Sequence, residues 1–264
     1  MAEMAITVVN LKGGVGKTTI SIILAELALL RKNKKVLAID LDSQENFSTG
    51  LSFVSRYFGE KLRIKKELDF ENDENAPEDW IIIDCPPRLD DENVKQAMEF
   101  ADIVLVPIRP DIFSVLNLDK VFNAANLDKR KSHNQIPIIK VGFDDSRISN
   151  YTEDILYDYD YPVIGDMPLF KNIPYNIAKG RVWSVGLTAY QRFTYENIID
   201  RISNAFKLMT EGHFDEAWGD DSIQENNDNI NNEGDENNNN TVNEPETPKK
   251  QLDENRFLGN FQNQ

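Results

Sequence analysis

The stretch Asn10-Leu11-Lys12-Gly13-Gly14-Val15-Gly16-Lys17-Thr18-Thr19 decides how this chain is read. It follows the apolar run Ile6-Thr7-Val8-Val9 and opens a helical pattern over 17–31. That is the strand, loop and helix context in which a glycine loop binds phosphate. Without Cβ atoms the glycines let successive backbone N–H groups point at a β-phosphate, and the helix N-terminus adds its partial positive charge. Lys17 then reaches the β/γ oxygens and the Thr18 hydroxyl ligates Mg²⁺. The pattern departs from G-x-x-x-x-G-K-[ST] at one place, because Leu11 stands where the first glycine belongs.

Outward from the loop, short apolar runs alternate with longer helical ones. Val36–Ile39, Ile81–Ile83, Ile103–Val106, Ile136–Val141 and Tyr161–Ile164 read as further buried parallel strands. Helix patterns lie at 90–100, 113–126 and 150–158, and a last helix carries the stripe Ile198, Ile199, Ile202, Ala205, Phe206 and Met209. Strand and helix in alternation predict a doubly wound, mostly parallel α/β sheet flanked by helices. No internal repeat is present.

Three acids sit at strand ends. Val36–Ile39 runs into Asp40-Leu41-Asp42-Ser43-Gln44, and strand alternation points Asp40 and Asp42 to one side. Trp80–Ile83 ends in Asp84, followed by Cys85-Pro86-Pro87. On residues alone the first pair suits either a structural or a catalytic role. Phosphoryl transfer to water needs an oriented nucleophile and compensation of charge on the γ-phosphate, which is what carboxylates, Mg²⁺ and lysines beside the loop supply. Cys85 has no neighbouring His to activate it and reads as a small semi-buried residue.

The lysine ahead of the glycine pair changes the reading. Lys12–Thr19 resembles the loop K-G-G-x-G-K-[ST]-T of the deviant Walker A ATPases, the ParA/MinD family of partition and positioning proteins. The resemblance implies the P-loop NTPase fold and an ATP-binding set of Lys12, Gly13, Gly14, Val15, Gly16, Lys17, Thr18 and Thr19. In that family the extra lysine crosses a dimer interface to the nucleotide of the other subunit, which makes Lys12 and ATP together a dimerisation switch. Asp40–Gln44 is similar to the family's switch I, usually D-x-D-P-Q, with Ser43 in place of Pro. Asp42 thereby matches the water-positioning aspartate and joins Lys12 and Lys17 as catalytic residues. Asp84 and Thr18 match the metal site, with Asp40 near it, and Cys85-Pro86-Pro87 resembles switch II. Ala101-Asp102-Ile103-Val104-Leu105-Val106-Pro107 continues the likeness, and Met167-Pro168 looks like the segment that packs on adenine. A guanine-reading [NT]-K-x-D motif is absent, so ATP rather than GTP is the expected nucleotide, with Mg²⁺ as the metal.

Composition bounds the partners. The chain has 264 residues, one Cys, 29 Lys+Arg and 45 Asp+Glu, a net charge of −16. With one cysteine there is no internal disulfide and no two-cysteine iron–sulfur ligation of the nitrogenase reductase kind. No apolar run approaches the roughly 18 residues of a membrane span, and the start lacks a signal peptide's basic and apolar segments. The expected location is cytoplasmic. From Glu211 onward the net charge is −11, leaving −5 for residues 1–210. The expected domains are therefore an ATPase over 1–210 and an acidic, Asn-rich, largely disordered tail over 211–264 with a short apolar segment at Leu252, Phe257, Leu258 and Phe261.

With the tail's charge set aside, acidity no longer argues against DNA. The resemblance to ParA implies an ATP-dependent homodimer that binds DNA without sequence preference, associates with the nucleoid, and is released when a ParB-like partner stimulates hydrolysis. The glycine loop comes too early for a preceding helix-turn-helix domain, so basic residues spread over the dimer are the expected DNA contacts. Lys171, Lys179, Arg181, Arg192, Arg201 and Lys207 are candidates, or else solvated cations balancing local acids. A MinD-like membrane ATPase is the alternative. It is disfavoured because Gln251–Gln264 holds one Arg and two acids rather than a basic amphipathic helix. A regulatory nucleotide switch acting through the acidic tail is the third reading, and competition of that tail with DNA is a further expectation.

Overall fold

A computed structural model describes residues 2–125, 132–157, 159 and 161–218. Seven strands form one sheet: β1 (Met4–Val8), β2 (Val36–Asp40), β3 (Leu62–Lys65), β4 (Trp80–Asp84), β5 (Ile103–Ile108), β6 (Ile138–Val141) and β7 (Val163–Met167). Their order is β3-β2-β4-β1-β5-β6-β7 and every pairing is parallel. All residues of β1, β2, β4 and β5 are buried, as parallel strands covered on both faces must be.

Alternation along the strands divides the core into two layers. Met4, Ile6, Val8, Ala38, Ile82 and Leu105 face α1 (Lys17–Leu30), α2 (Asn46–Phe58) and α9 (Ala189–Thr210). Ala5, Leu37, Ile39, Ile81, Ile83 and Val104 face α4 (Glu92–Phe100), α6 (Leu118–Ala124) and α7 (Arg147–Leu156). Three short helices complete the described chain: α3 (Phe70–Asp73), α5 (Ile112–Leu116) and α8 (Asn172–Ala178). β1 lies between β4 and β5, so the chain leaves it towards one side first and the other later. The crevice at its C-terminal end is the topological switch point at which such sheets hold ligands.

Several boundaries differ from the sequence reading for local reasons. The pattern over 113–126 is two helices, because the Asn117 side chain donates to the Phe113 carbonyl at 2.9 Å and its backbone leaves the helical region. α4 starts at Glu92 under the Asp91 cap and α7 at Arg147 under the Ser146 cap. The last strand begins at Val163 rather than Tyr161, since the Pro162 carbonyl already serves Ile138. α9 is fixed at its start by a capping box of Thr188 and Gln191, and buries the Ile198, Ile199, Ile202, Ala205 and Met209 stripe. Residues 211–218 extend the folded unit past 210, with Ala217 packed on Ala205 and Met209 and the Trp218 indole donating to the Asn134 carbonyl at 2.7 Å. The remaining tail, 219–264, with its expected disorder and apolar segment, lies outside the described residues.

β3 was not foreseen. Its four residues form one edge of the sheet, where Arg63 makes a two-pronged contact with Glu78 (2.7 Å each) and Lys65 holds the buried Asp73 at 2.7 Å. Also unforeseen was α2, although Phe47, Leu51 and Val54 bury one face at helical spacing.

Candidate active site: a phosphate loop and its acids

The loop between β1 and α1 is pinned before any ligand arrives. Buried Asn10 donates from Nδ2 to the Pro107 carbonyl of β5 at 2.7 Å and accepts the Lys12 N–H at 2.9 Å. Gly14 and Gly16 hold φ of +77° and +102°, conformations a side chain would strain. A Cβ on Gly13 or Gly14 would meet nothing within 4 Å, so the glycine pair borders open space. Val15 anchors the loop in the core.

Lys17 is buried at the start of α1 and donates from Nζ to the Lys12 carbonyl at 3.1 Å, curling back over the loop. Burial holds its ammonium below the ordinary range, while Asp84 and Asp42 pull the other way. The next residue, Thr18, donates its hydroxyl to Asp84 Oδ2 at 2.7 Å. Ser21, one turn on, places Oγ 2.8 Å from Asp84 Oδ1 and 3.0 Å from the Lys17 carbonyl. Even with these contacts, burial pushes the Asp84 carboxyl up to about 7, and the nearby Asp40 adds to the effect.

Asp40 and Asp84 are register partners on β2 and β4, so their carboxylates end adjacent strands. Both Asp40 oxygens are engaged: Oδ1 accepts the Asp42 N–H at 3.1 Å and Oδ2 the Ser48 N–H at 2.7 Å. Its observed work is to shape the turn from β2 into α2. Asp42 is half-buried and accepts the Gln44 N–H at 3.0 Å. Cys85 is fully buried and its thiol is pushed well up by that burial, which leaves it unreactive.

Among the described residues no three His, Cys, Asp or Glu cluster as a protein-only metal site. The donors present are one hydroxyl, Thr18, and a desolvated carboxylate, Asp84, with Asp40 beside it. Such a sparse oxygen set suits Mg²⁺, which keeps water and substrate phosphate in its shell. The raised Asp84 carboxyl is the kind of group that a bound divalent cation would return to its ionised form.

A hollow of about 440 Å³ adjoins the loop beyond Gly14, Gly16 and Thr19, walled by Val141, Met167 and Leu169. Met167 lines this hollow. Pro168 does not line this hollow, and its carbonyl accepts the Tyr195 hydroxyl. Sequence reasoning missed Ile20, Phe170 and Tyr195 on the wall, and also Arg109, whose place just after β5 was the available signal. A larger cavity of about 560 Å³ lies beside α4 and the end of α9, lined by Asp102 and Gln135 just ahead of β5 and β6, and has no part of the glycine loop.

The six basic candidates are distributed over two helices and the segment between them. Lys171 lines the hollow, and Lys179 and Arg181 follow at the end of α8. Arg192 and Lys207 lie fifteen residues apart on α9, about 22 Å along its axis. Arg201 faces the Trp218 carbonyl at 3.5 Å.

Residues 3–67 match a family model described as an AAA domain. The chain is 30% identical over 161 residues to the chromosome partitioning protein ParA of Caulobacter vibrioides, a match covering 44% of this chain and 60% of that protein. It is 25% identical over 176 residues to the sporulation initiation inhibitor protein Soj of Bacillus subtilis, covering 50% and 69%. The match thus spans about 60% of the length of the ParA relative. Among solved structures, a plasmid partition protein of Borrelia burgdorferi bound to AMPPNP superposes with a TM-score of 0.60 at 24% identity, over 78% of this chain and 99% of that one. MinD of Aquifex aeolicus gives 0.60 at 20% identity, over 76% and 96%. These two likenesses concern the fold. Parallel sheets of this order carry many chemistries, but a second lysine set before the glycine pair narrows the choice, and together with the ParA and Soj likenesses it supports a P-loop ATPase of the ParA/MinD type.

Proposed function

We infer that the chain is a Mg²⁺-dependent ATP hydrolase that works as a partition switch. ATP closes a two-fold homodimer, the dimer binds duplex DNA without sequence preference, and hydrolysis stimulated by a ParB-like partner releases it at the nucleoid. The observation that carries the reading is Lys12, a second lysine on a loop whose backbone is already fixed by Asn10.

Within one chain, the N–H groups of Gly13–Thr19 and the helix end of α1 receive the phosphates, and Lys17 swings from the Lys12 carbonyl onto their oxygens. Thr18 and Asp84 would hold Mg²⁺, with Asp40 beside them, and the cation would supply charge neutralisation for the phosphates. Asp42, two residues beyond Asp40 on the turn into α2, orients the attacking water, while Lys12 reaches the nucleotide of the second copy. Met167 and its apolar neighbours receive the base.

The MinD-like fold supports a second reading, a positioning ATPase on a membrane surface. No helix among the described residues is long and apolar enough to cross a membrane, which leaves surface attachment as the form such a reading takes. Sedimentation of the full chain with duplex DNA or with anionic liposomes separates the two. Pelleting with DNA in ATP but not in ADP is the expected result. Pelleting with liposomes instead selects the positioning reading, and pelleting with neither overturns both in favour of a nucleotide switch that acts on protein partners.

A further inference from the structure

Lys12 is already occupied. Its ammonium donates to Asp111 Oδ1, and it stands 5.7 Å from the centre of the Phe113 ring. Asp111 caps α5: its backbone is extended, and its carboxylate accepts the Ser114 N–H at 3.0 Å and the Ser114 hydroxyl at 2.6 Å. Burial works against ionisation of Asp111, but the hydrogen bonds from Lys12 and Ser114 outweigh it and hold its carboxyl below the usual range. The contact joins the glycine loop to the segment after β5, ninety-nine residues away in sequence.

Two features make this contact a latch rather than part of the core. The two side chains are 32% and 30% exposed, so the pair meets water and is of the strength that a competing anion can break. The Lys12 backbone, by contrast, is held on both sides, its N–H by Asn10 and its carbonyl by Lys17. Only the side chain is free to move, and the carboxylate that holds it keeps both Ser114 bonds when it leaves, so the cap of α5 survives the exchange. Around it α5 exposes Phe113 and Leu116 and packs on α7, which exposes Ile148 and Tyr151. The lysine thus emerges at the rim of an apolar surface.

We propose that Asp111 is a positioning residue that keeps Lys12 within its own chain until a second, nucleotide-loaded copy offers phosphate oxygens, so that the Lys12–Asp111 pair sets the nucleotide concentration at which copies of the chain associate. This builds on the reading of Lys12 as the lysine that crosses between subunits. A single carboxylate competes with a polyphosphate for one ammonium, and removing the carboxylate's charge biases that exchange towards the dimer.

The test uses the full chain and its Asp111→Asn, Lys12→Ala and doubly substituted forms. Asn caps a helix about as well as Asp, so Asp111→Asn removes charge while keeping an acceptor for Ser114. By sedimentation with a non-hydrolysable ATP analogue, Asp111→Asn should associate at about three- to tenfold lower analogue concentration than wild type, the range expected for a part-exposed ion pair. Both forms lacking Lys12 should stay monomeric. Acetylation of Lys12 by acetic anhydride, followed by mass spectrometry in the absence of nucleotide, should quicken by a similar factor in Asp111→Asn. The wild-type chain gives a control that depends on no variant's folding: its Lys12 should acetylate several-fold more slowly than exposed Lys207. Association of Asp111→Asn at unchanged or higher analogue concentration, or a Lys12 as reactive as Lys207 in wild type, overturns the proposal. A wild-type chain that never associates with nucleotide overturns the reading of Lys12 instead, and the acetylation rates still report whether the latch exists.

Discussion

On one side of the cleft, Thr18 and Ser21 hold Asp84, while Asn10 and Lys17 hold the backbone of Lys12. On the other, Val141, Met167, Leu169 and Phe170 wall a hollow of about 440 Å³ in which Arg109 and Lys171 are the charged groups. A phosphate is recognised by backbone N–H groups and fixed charges, which few sequences can present. A flat base is recognised by shape, which many apolar residues can supply. The two walls should therefore answer mutation differently.

The largest effect is expected on the phosphate wall. Lys17→Ala should weaken ATP and ADP alike by about a thousandfold, roughly 4 kcal/mol, because it removes a buried ammonium from anionic oxygens. Calorimetric titration checks this, and a loss under about tenfold would break the contrast between the walls. Asp42→Ala comes next. Turnover should fall by about a hundredfold or more while ATP affinity stays within about threefold, the outcome expected of a residue proposed to orient water rather than hold phosphate. Loss of ATP binding in that variant would place Asp42 among the structural residues of the turn.

Between the walls runs α1, and farther along it Glu26 ties the helix to Trp183. This carboxylate is 1% exposed and accepts the Trp183 N–H at 3.0 Å, while burial raises its carboxyl to about 7 from 4.5. The folded chain then keeps a proton that the unfolded chain has released, so stability is fully present below about pH 4.5 and falls as pH rises towards 7 and above, by about 3 kcal/mol at most. Glu26→Gln should remove that share of the slope between pH 5 and 8 in urea unfolding, leaving the part due to Asp84. An unchanged slope would sink the assignment.

The smallest effect is expected on the apolar wall, the one proposed to receive the base. The Tyr195 hydroxyl serves the Pro168 carbonyl, and its ring lies 5.8 Å from Phe170 and 5.1 Å from Trp183. Tyr195→Phe should cost about 1 kcal/mol of stability and weaken ATP, ADP and AMP by the same few-fold factor. A preference for one of the three would show that the base wall senses phosphate number, contrary to the division drawn above.

The same division governs what could be read in advance. The loop, α1 and the strand ending at Asp84 were legible because each couples an apolar run to residues whose chemistry is bound to their spacing. β3 was hidden because four residues with charges at Arg63 and Lys65 give too short an alternation. α2 was hidden by its polar start and by Gly50, though a Cβ there would lie 2.6 Å from an Ile22 methyl, which shows that the glycine is a packing requirement of α1 against α2. Nothing local to Glu26 announces that Trp183 covers it. Asp111 likewise gains its partner only when β1 and β5 pair. Long-range partnerships of this kind are set by topology, not by neighbours in sequence.

One edge of the sheet bears on how copies of the chain can meet. A bare parallel edge is a template onto which another molecule's strand can add, the route to open-ended fibres. Here that edge is four residues long, and its two cations are tied to Glu78 and to the buried Asp73. A strand approaching β3 would have to break a two-pronged ion pair and strip water from a guanidinium and an ammonium before gaining its first ladder bond. This edge of the sheet is thereby protected against strand addition by another copy.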